Sequence, residues 1–307
     1  MNAYSLRKFR PKPQSGFLSI QAGSGGVAYS EVSWQAGRPH LAACALRSGD
    51  AALAKSWSLF SQAPLPVSLV LMPGEYQLLP IDAPPVPPEE MKMAVRWRIK
   101  DLIDFPIDDA TVDVVRLDAG QPESANKLLA VVAHNQVVKR YIHLAEQARL
   151  TLTAIDIPEL AQRNIASLLE APDRVTALLS FTSQGGLLTL TRNGNLCFYR
   201  RLECMPGALN ESDSERMQQT LDRLALELQR TFDHIERQYS HWGVDNIVLA
   251  PPPSDLEIMD YLNRQLYLPL KQADLSDVID GVLPDPGALS DCWFALGGAL
   301  RREDKAL

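Results

Sequence analysis

Apolar residues arrive in two rhythms along this chain. Short runs at Phe17–Ile20, Val27–Trp34 and Leu41–Leu46 predict three strands joined by turns. Asp50–Phe60 suits a helix, and Val67–Met72 and Tyr76–Ile81 suit strands around a Pro73-Gly74 turn. Leu128–Ala133 and Leu152–Ile155 predict two more strands, alternating with helices over Gln136–Ala148 and Pro158–Leu169. The order then repeats. Val175–Phe181, Leu187–Thr191 and Leu196–Arg201 read as strands, with Asn193-Gly194 as a hairpin turn because both residues accept φ > 0. Met217, Leu221, Leu224, Leu228, Phe232, Ile235 and Tyr239 form one stripe of a long helix. Ser212 and Glu215 offer it a capping box and Gly243 a stop. Ile247–Ala250 reads as a strand, and Leu256–Leu266 and Trp293–Leu300 as helices. Two halves with one grammar predict a duplicated α/β unit with its site between lobes.

The stretch Ala94–Leu117 has the most distinctive pattern. Pro87 and Pro88 preset the backbone for a helix start, and Glu89 and Glu90 put negative charge where the helix dipole favours it. Met91, Val95, Ile99 and Leu102 make one apolar face. Pro106 stops the helix, and Val112, Val114 and Leu117 predict a strand. Met93 and Trp97 lie on the other side. A helix apolar on two sides is either sandwiched within its own protein or exposed for a partner. The pattern alone admits both.

Composition narrows the function. The 307 residues suffice for two ordinary domains, and 46% hydrophobic with 22% charged residues fits a globular protein. A net charge of −7 argues against a general nucleic-acid binder, which needs a basic face. No run approaches the roughly 18 apolar residues of a membrane span, and no signal-peptide core is visible, so a cytosolic location is expected. Cys44, Cys197, Cys204 and Cys292 show no CxxC spacing, so free buried thiols are expected. Arg7, Lys8, Arg10 and Lys12 make residues 1–14 a basic leader, read as a flexible tail or as a loose contact with anionic lipid. The five histidines lack metal-ligand spacing, Asp108-Asp109 follows a turn, and no GxSxG elbow occurs. No catalytic set is recognised, and no enzyme is expected.

The elements and several local words together resemble the PilM family of type IV pilus assembly proteins. Val70-Leu71-Met72-Pro73 sits where that family has a strand ending in Leu-Pro. Trp97–Asp113, with Phe105-Pro106 and Val112-Asp113, resembles its helix, "IPF" turn and "DY" strand. Leu129–Gln162 is similar to its strand–helix–strand–helix segment, and Glu227–Phe232 with Val244–Ala250 to the elements before its adenosine site. Phe294–Arg301 resembles its closing helix. The resemblance implies an α/β fold of two actin-like (ribonuclease-H-like) lobes, as in FtsA. The first lobe would cover 15–172 with an inserted subdomain at about 65–132, and the second 173–307 with a C-terminal helix. It implies a cytosolic adaptor, peripheral at the inner-membrane face, that binds the cytoplasmic N-terminal peptide of a single-span pilus protein. In related secretion proteins a similar domain also meets the motor ATPase, and a homo-oligomer is compatible with the resemblance. The partner groove would lie beside the inserted subdomain, with Met93 and Trp97 as anchors and Phe105-Pro106 stiffening its rim.

An actin-like fold holds nucleotide phosphates in two hairpins, where glycines admit the backbone and aspartates hold the metal shell. In the first hairpin, Ser19 stands where the family often has Asp and Gln21 where it has Gly. Gly23, Gly25 and Gly26 join two strands and do not open a helix, so no dinucleotide fingerprint is read there. In the second, Ser180 replaces Asp and Thr182 replaces Gly, while Gly185 remains. Pro251-Pro252-Pro253 replaces the glycines of the adenosine loop and removes donors. These departures predict a degenerate nucleotide site with no cofactor. The alternatives are an actin-like ATP-binding protein with nucleotide-gated assembly, and a type II secretion L-like cytoplasmic domain. The second is disfavoured because such domains continue into a membrane span and this chain ends at Leu307.

Overall fold

The computed structural model describes residues 16–23, 25–50, 54–60, 65–117, 127–172, 174–182, 185–204, 214–239, 242–252 and 258–302. The basic leader, the Ser212 cap and Pro253 fall outside them. The first lobe opens with a meander, β1 (Gly16–Gly23), β2 (Gly26–Gln35) and β3 (Arg38–Arg47). Alternating burial on β2 gives it a core face and a wetter face. β4 (Val67–Val70) pairs parallel to β1, and β8 (Leu152–Asp156) pairs parallel to β4. Parallel neighbours require crossovers. One crossover passes through the short helix α1 (Ala54–Trp57), and the other ends in α3 (Asn135–Gln147). Trp57, Tyr141, Leu18, Ile20 and Leu69 fill the core they enclose.

Of the expected helix over 50–60, the described residues hold α1 followed by a 3₁₀ turn at Ser58–Phe60, while 51–53 lie outside them. The inserted unit starts later than expected, because β4 belongs to the first-lobe sheet. It is a three-stranded antiparallel sheet, ordered β5 (Tyr76–Asp82), β7 (Lys127–His134), β6 (Ala110–Arg116). α2 (Met91–Ile99) lies on it with Val95 and Ile99 fully buried against Val114, Ala130 and Val132. α2 stops sooner than the sequence pattern suggests. Leu102 therefore falls in the following turn and is 57% exposed, not part of the core face.

The second lobe repeats the arrangement. β9 (Thr176–Thr182), β10 (Gly185–Arg192) and β11 (Asn195–Leu202) form its meander, and β12 (Ile247–Leu249) and β13 (Leu270–Gln272) extend it. Asn193 and Gly194 both take positive φ in the β10–β11 turn, as expected. α5 (Ser214–Gln238) buries Leu221, Leu224, Leu228, Phe232 and Ile235 on this sheet, alongside α6 (Ile258–Gln265). α5 ends before Gly243, and Tyr239 instead stacks on Trp242 at 4.1 Å.

The two lobes share a core. α4 (Pro158–Leu169) and α8 (Trp293–Ala299) join Val32, Leu41 and Val70 of the first lobe to Leu178 and Leu187 of the second. The final segment therefore belongs as much to the first lobe as to the second, where the sequence reading had put it. β14 (Asp280–Gly281) adds a strand beside β3, and α7 (Pro286–Asp291) precedes α8; neither was read from sequence. Cys44 on β3 and Cys292 between α7 and α8 form a disulfide, with Cα atoms 6.3 Å apart. This corrects the expectation of four free thiols; Cys197 and Cys204 are free and buried. The pair is 248 residues apart in sequence, so spacing held no trace of it.

Candidate functional site

The residues expected at a degenerate nucleotide site converge where the lobes meet. Ser19 is fully buried on β1. A Cβ on Gly298 would lie 2.3 Å from its Oγ, so α8 packs directly on it. Gly297 is as constrained, since a Cβ there would lie 2.1 Å from the Ala161 carbonyl oxygen of α4. The glycine pair thus lets α8 wedge between β1 and α4 at backbone distance. Hydrogen bonds from Ser68 Oγ to the Gly298 oxygen (3.1 Å) and from Asn164 Nδ2 to the Gly297 oxygen (2.9 Å) hold it there.

Ser180 does not face an open phosphate site. It donates to Gln162 Oε1 at 2.5 Å, and Gln162 Nε2 donates to Leu178 O, Leu187 O and Thr189 Oγ1. Trp293 Nε1 also donates to Gln162 Oε1, at 3.3 Å. The sequence reading gave neither Gln162 nor Trp293 a role at the site. A polar residue on the apolar side of α4 was the available signal, because a fully buried amide needs partners for both ends.

The cavities that the described residues line between the hairpins are small. One cavity of about 60 Å³ is lined by Gln21, Gly23, Thr182, Ser290, Asp291 and Phe294, among others. Gln21 Nε2 is buried there without a partner. Burial, and then the nearby Asp285, push the Asp291 carboxyl above its ordinary range. A second cavity of about 40 Å³ touches Thr182, Gly185, Arg201 and the same Phe294 ring. Ligand pockets for drug-sized molecules run from about 300 to 1,000 Å³. Pro251 is buried at the end of β12 and lines neither cavity.

A charged cluster pins the lobes beside this cleft. Glu159, at the start of α4, is fully buried. It accepts from Tyr76 Oη of β5 at 2.5 Å and from both Arg201 Nε (2.9 Å) and Nη2 (2.7 Å) of β11. One carboxylate thus joins the inserted unit, α4 and the second lobe. Burial, then Glu159, raise the Tyr76 hydroxyl well above its ordinary value, so it stays a donor. Asp156 plays a similar part for Arg301 beyond α8, at 2.9 Å. Sequence reasoning gave none of these five residues this role.

The expected partner residues separate. Met93 and Trp97 are 69% and 70% exposed, so they are not core. Lys100 Nζ sits 6.0 Å from the Trp97 ring. Phe105 turns inward instead: it packs on the core of the inserted unit and meets the His134 ring at 4.9 Å. Pro106 is exposed and precedes a 3₁₀ turn, whose Ile107 carbonyl accepts from Arg96 Nη2 at 2.7 Å.

No protein-family model and no curated protein matches the chain, but solved structures do. A chain of a PilM–PilN type IV pilus biogenesis complex superimposes with a TM-score of 0.74 at 19% identity, covering 94% of this chain and 98% of that one. A Bacteroides thetaiotaomicron protein described as having an actin-like ATPase fold and unknown function gives 0.49 at 12% identity, over 85% and 91% of the two chains. The cytoplasmic domain of EpsL, an inner-membrane component of the Vibrio cholerae type II secretion system, gives 0.44 at 10% identity, over 64% and 76%. The fold assignment rests on the first of these. Two meander lobes, a crossing pair of helices between them and a three-stranded insertion in the first lobe give this chain a two-lobed actin-like fold, superimposable on that pilus-complex chain over nearly its whole length.

Proposed function

We propose that the chain is a non-enzymatic scaffold of a type IV pilus inner-membrane assembly platform. It binds the cytoplasmic N-terminal peptide of a single-span pilus protein and helps tie that protein to the motor. The local sequence also resembles MshI of the mannose-sensitive haemagglutinin pilus, which suggests a platform of that kind. Its place is cytoplasmic, at the inner-membrane face; no helix among the described residues is long and apolar enough to cross a membrane.

The observation that carries the scaffold reading is the filled cleft. Among the described residues, Phe294 lines both small cavities between the hairpins, the Gly297-Gly298 backbone packs on Ser19 and Ala161, and Ser180 is taken up by Gln162. These residues do not fit a nucleotide with its metal shell, so nucleotide-gated assembly is the weaker reading. Met93 and Trp97 support the binding half of the proposal, because a large exposed aromatic is a ready anchor. Calorimetry with the partner's N-terminal peptide tests it. Wild type should bind, and Trp97→Ala should weaken binding by about tenfold while circular dichroism stays unchanged. Unchanged affinity in the variant would remove α2 from the site, and no binding by wild type would sink the adaptor reading.

A further inference from the structure

A cavity of about 600 Å³ lies away from the cleft, between the inserted unit and the second lobe. One wall is Pro80, Ile81 and Asp82 of β5, and the other is Cys197, Phe198 and Tyr199 of β11. Each wall consists of three consecutive strand residues. Successive side chains of a strand point to opposite faces, so a cavity touching all three runs along the strand's edge. Both strands are edges: among the described residues, β5 pairs only with β7 and β11 only with β10. Their relative direction follows from the other end. Tyr76 at the start of β5 meets Arg201 near the end of β11, with the guanidinium 5.2 Å from the ring. The two edges are therefore antiparallel, pinned at Tyr76–Glu159–Arg201 and parted where the cavity opens.

The lining also carries charge. Lys127 pairs with Asp82 at 2.6 Å. Arg98 Nη1 donates to the Asp82 backbone oxygen at 2.9 Å. Two cations thus stand against one carboxylate. Leu102, displaced into solvent by the early end of α2, lies at this groove with Tyr239 opposite.

We propose that this groove binds an extended peptide segment of another protein, which adds to the free edge of β11 as a strand. Its apolar side chains pack on Ile81, Leu102, Phe198 and Tyr239, and an acidic side chain meets Arg98. β5 supplies a packing wall more than a ladder, since Pro80 has no N–H to donate. Edge pairing gives affinity without sequence demand, and the side-chain contacts give selectivity. The site differs from the α2 surface, because Arg98 of α2 and Leu102 of the following turn line it while Met93 and Trp97 do not. It does not depend on the pilus reading.

The test is a displayed library of random linear dodecapeptides panned on the full chain, followed by synthesis of an enriched peptide. Enriched sequences should place an acidic residue among alternating apolar ones. Arg98→Glu and Leu102→Glu should each weaken the peptide by about tenfold or more. Both positions are exposed, so circular dichroism should stay native. Trp97→Ala should leave affinity unchanged, and bound peptide should slow amide exchange in β11. Three results would overturn the proposal: no enriched peptide, affinity indifferent to both substitutions, or protection that appears on β13 or α2 in place of β11.

Discussion

All of α8, from Trp293 to Ala299, is buried, whereas α2 leaves Met93 and Trp97 69% and 70% exposed. Both helices lie on a sheet and both are rich in large apolar side chains. The difference lies in what surrounds them. α8 carries two adjacent glycines, so its backbone approaches β1 and α4 closely enough to be covered on every side. α2 covers a small sheet with Val95 and Ile99, and its other face carries the exposed Met93 and Trp97. The first arrangement closes a place where the fold could hold a ligand. The second keeps apolar area in water that a partner can cover.

The comparison breaks first at the glycines. Gly297→Leu puts a side chain where the Ala161 oxygen already sits, and should cost about 4 kcal/mol or more, or give no folded protein. Urea denaturation of the purified variant measures it. Next comes the pinning carboxylate. Glu159→Gln leaves Arg201 and Tyr76 beside a neutral amide and should cost about 3 kcal/mol, because a charge half withdrawn from water loses its partner. Cys292→Ser removes a link that closes most of the chain and should cost about 2–4 kcal/mol in the same assay, with no further loss on adding reductant.

Alkaline pH should weaken the second lobe more gently. Burial pushes the Cys204 thiol up to about 11 and the Tyr199 hydroxyl up to about 12. Folded-state values above the unfolded ones mean the stabilisation is complete below the ordinary thiol value of 9.0 and is lost as pH rises through the folded values. Urea midpoints should therefore fall between about pH 9 and pH 12, and Cys204→Ala should flatten the first part of that fall. The smallest effect belongs to α2: Trp97→Ala should move stability by no more than about 0.5 kcal/mol, since the ring makes few contacts to lose. A larger loss would show that the α2 surface is structural.

Much of this was legible because it is local. The strands of both meanders, the α5 stripe and the Asn193-Gly194 turn follow from period and turn chemistry over a few residues. The exposed face of α2 was visible as a second apolar side, although not whether the protein covered it. The Cys44–Cys292 bond, β14 and the Tyr76–Glu159–Arg201 cluster join residues far apart in the chain, and nothing in spacing records such contacts. At the cleft, Ser19 and Ser180 were noticed for the residues they replace. What they touch instead, Gly298 and Gln162, depends on how two helices cross. The early end of α2 was missed because Leu102 continued the spacing beyond the last helical turn.

The central claim is that the cleft is closed by the protein's own side chains, and a thermal melt with and without Mg·ATP tests it most directly. A ligand that binds only the native state at 1,000 times its dissociation constant stabilises it by about 4 kcal/mol. Wild type should show no saturable rise in melting temperature up to millimolar Mg·ATP. A saturable rise of several degrees, lost in Gln21→Leu and kept in Trp97→Ala, would contradict the account and show a working nucleotide site in the cleft.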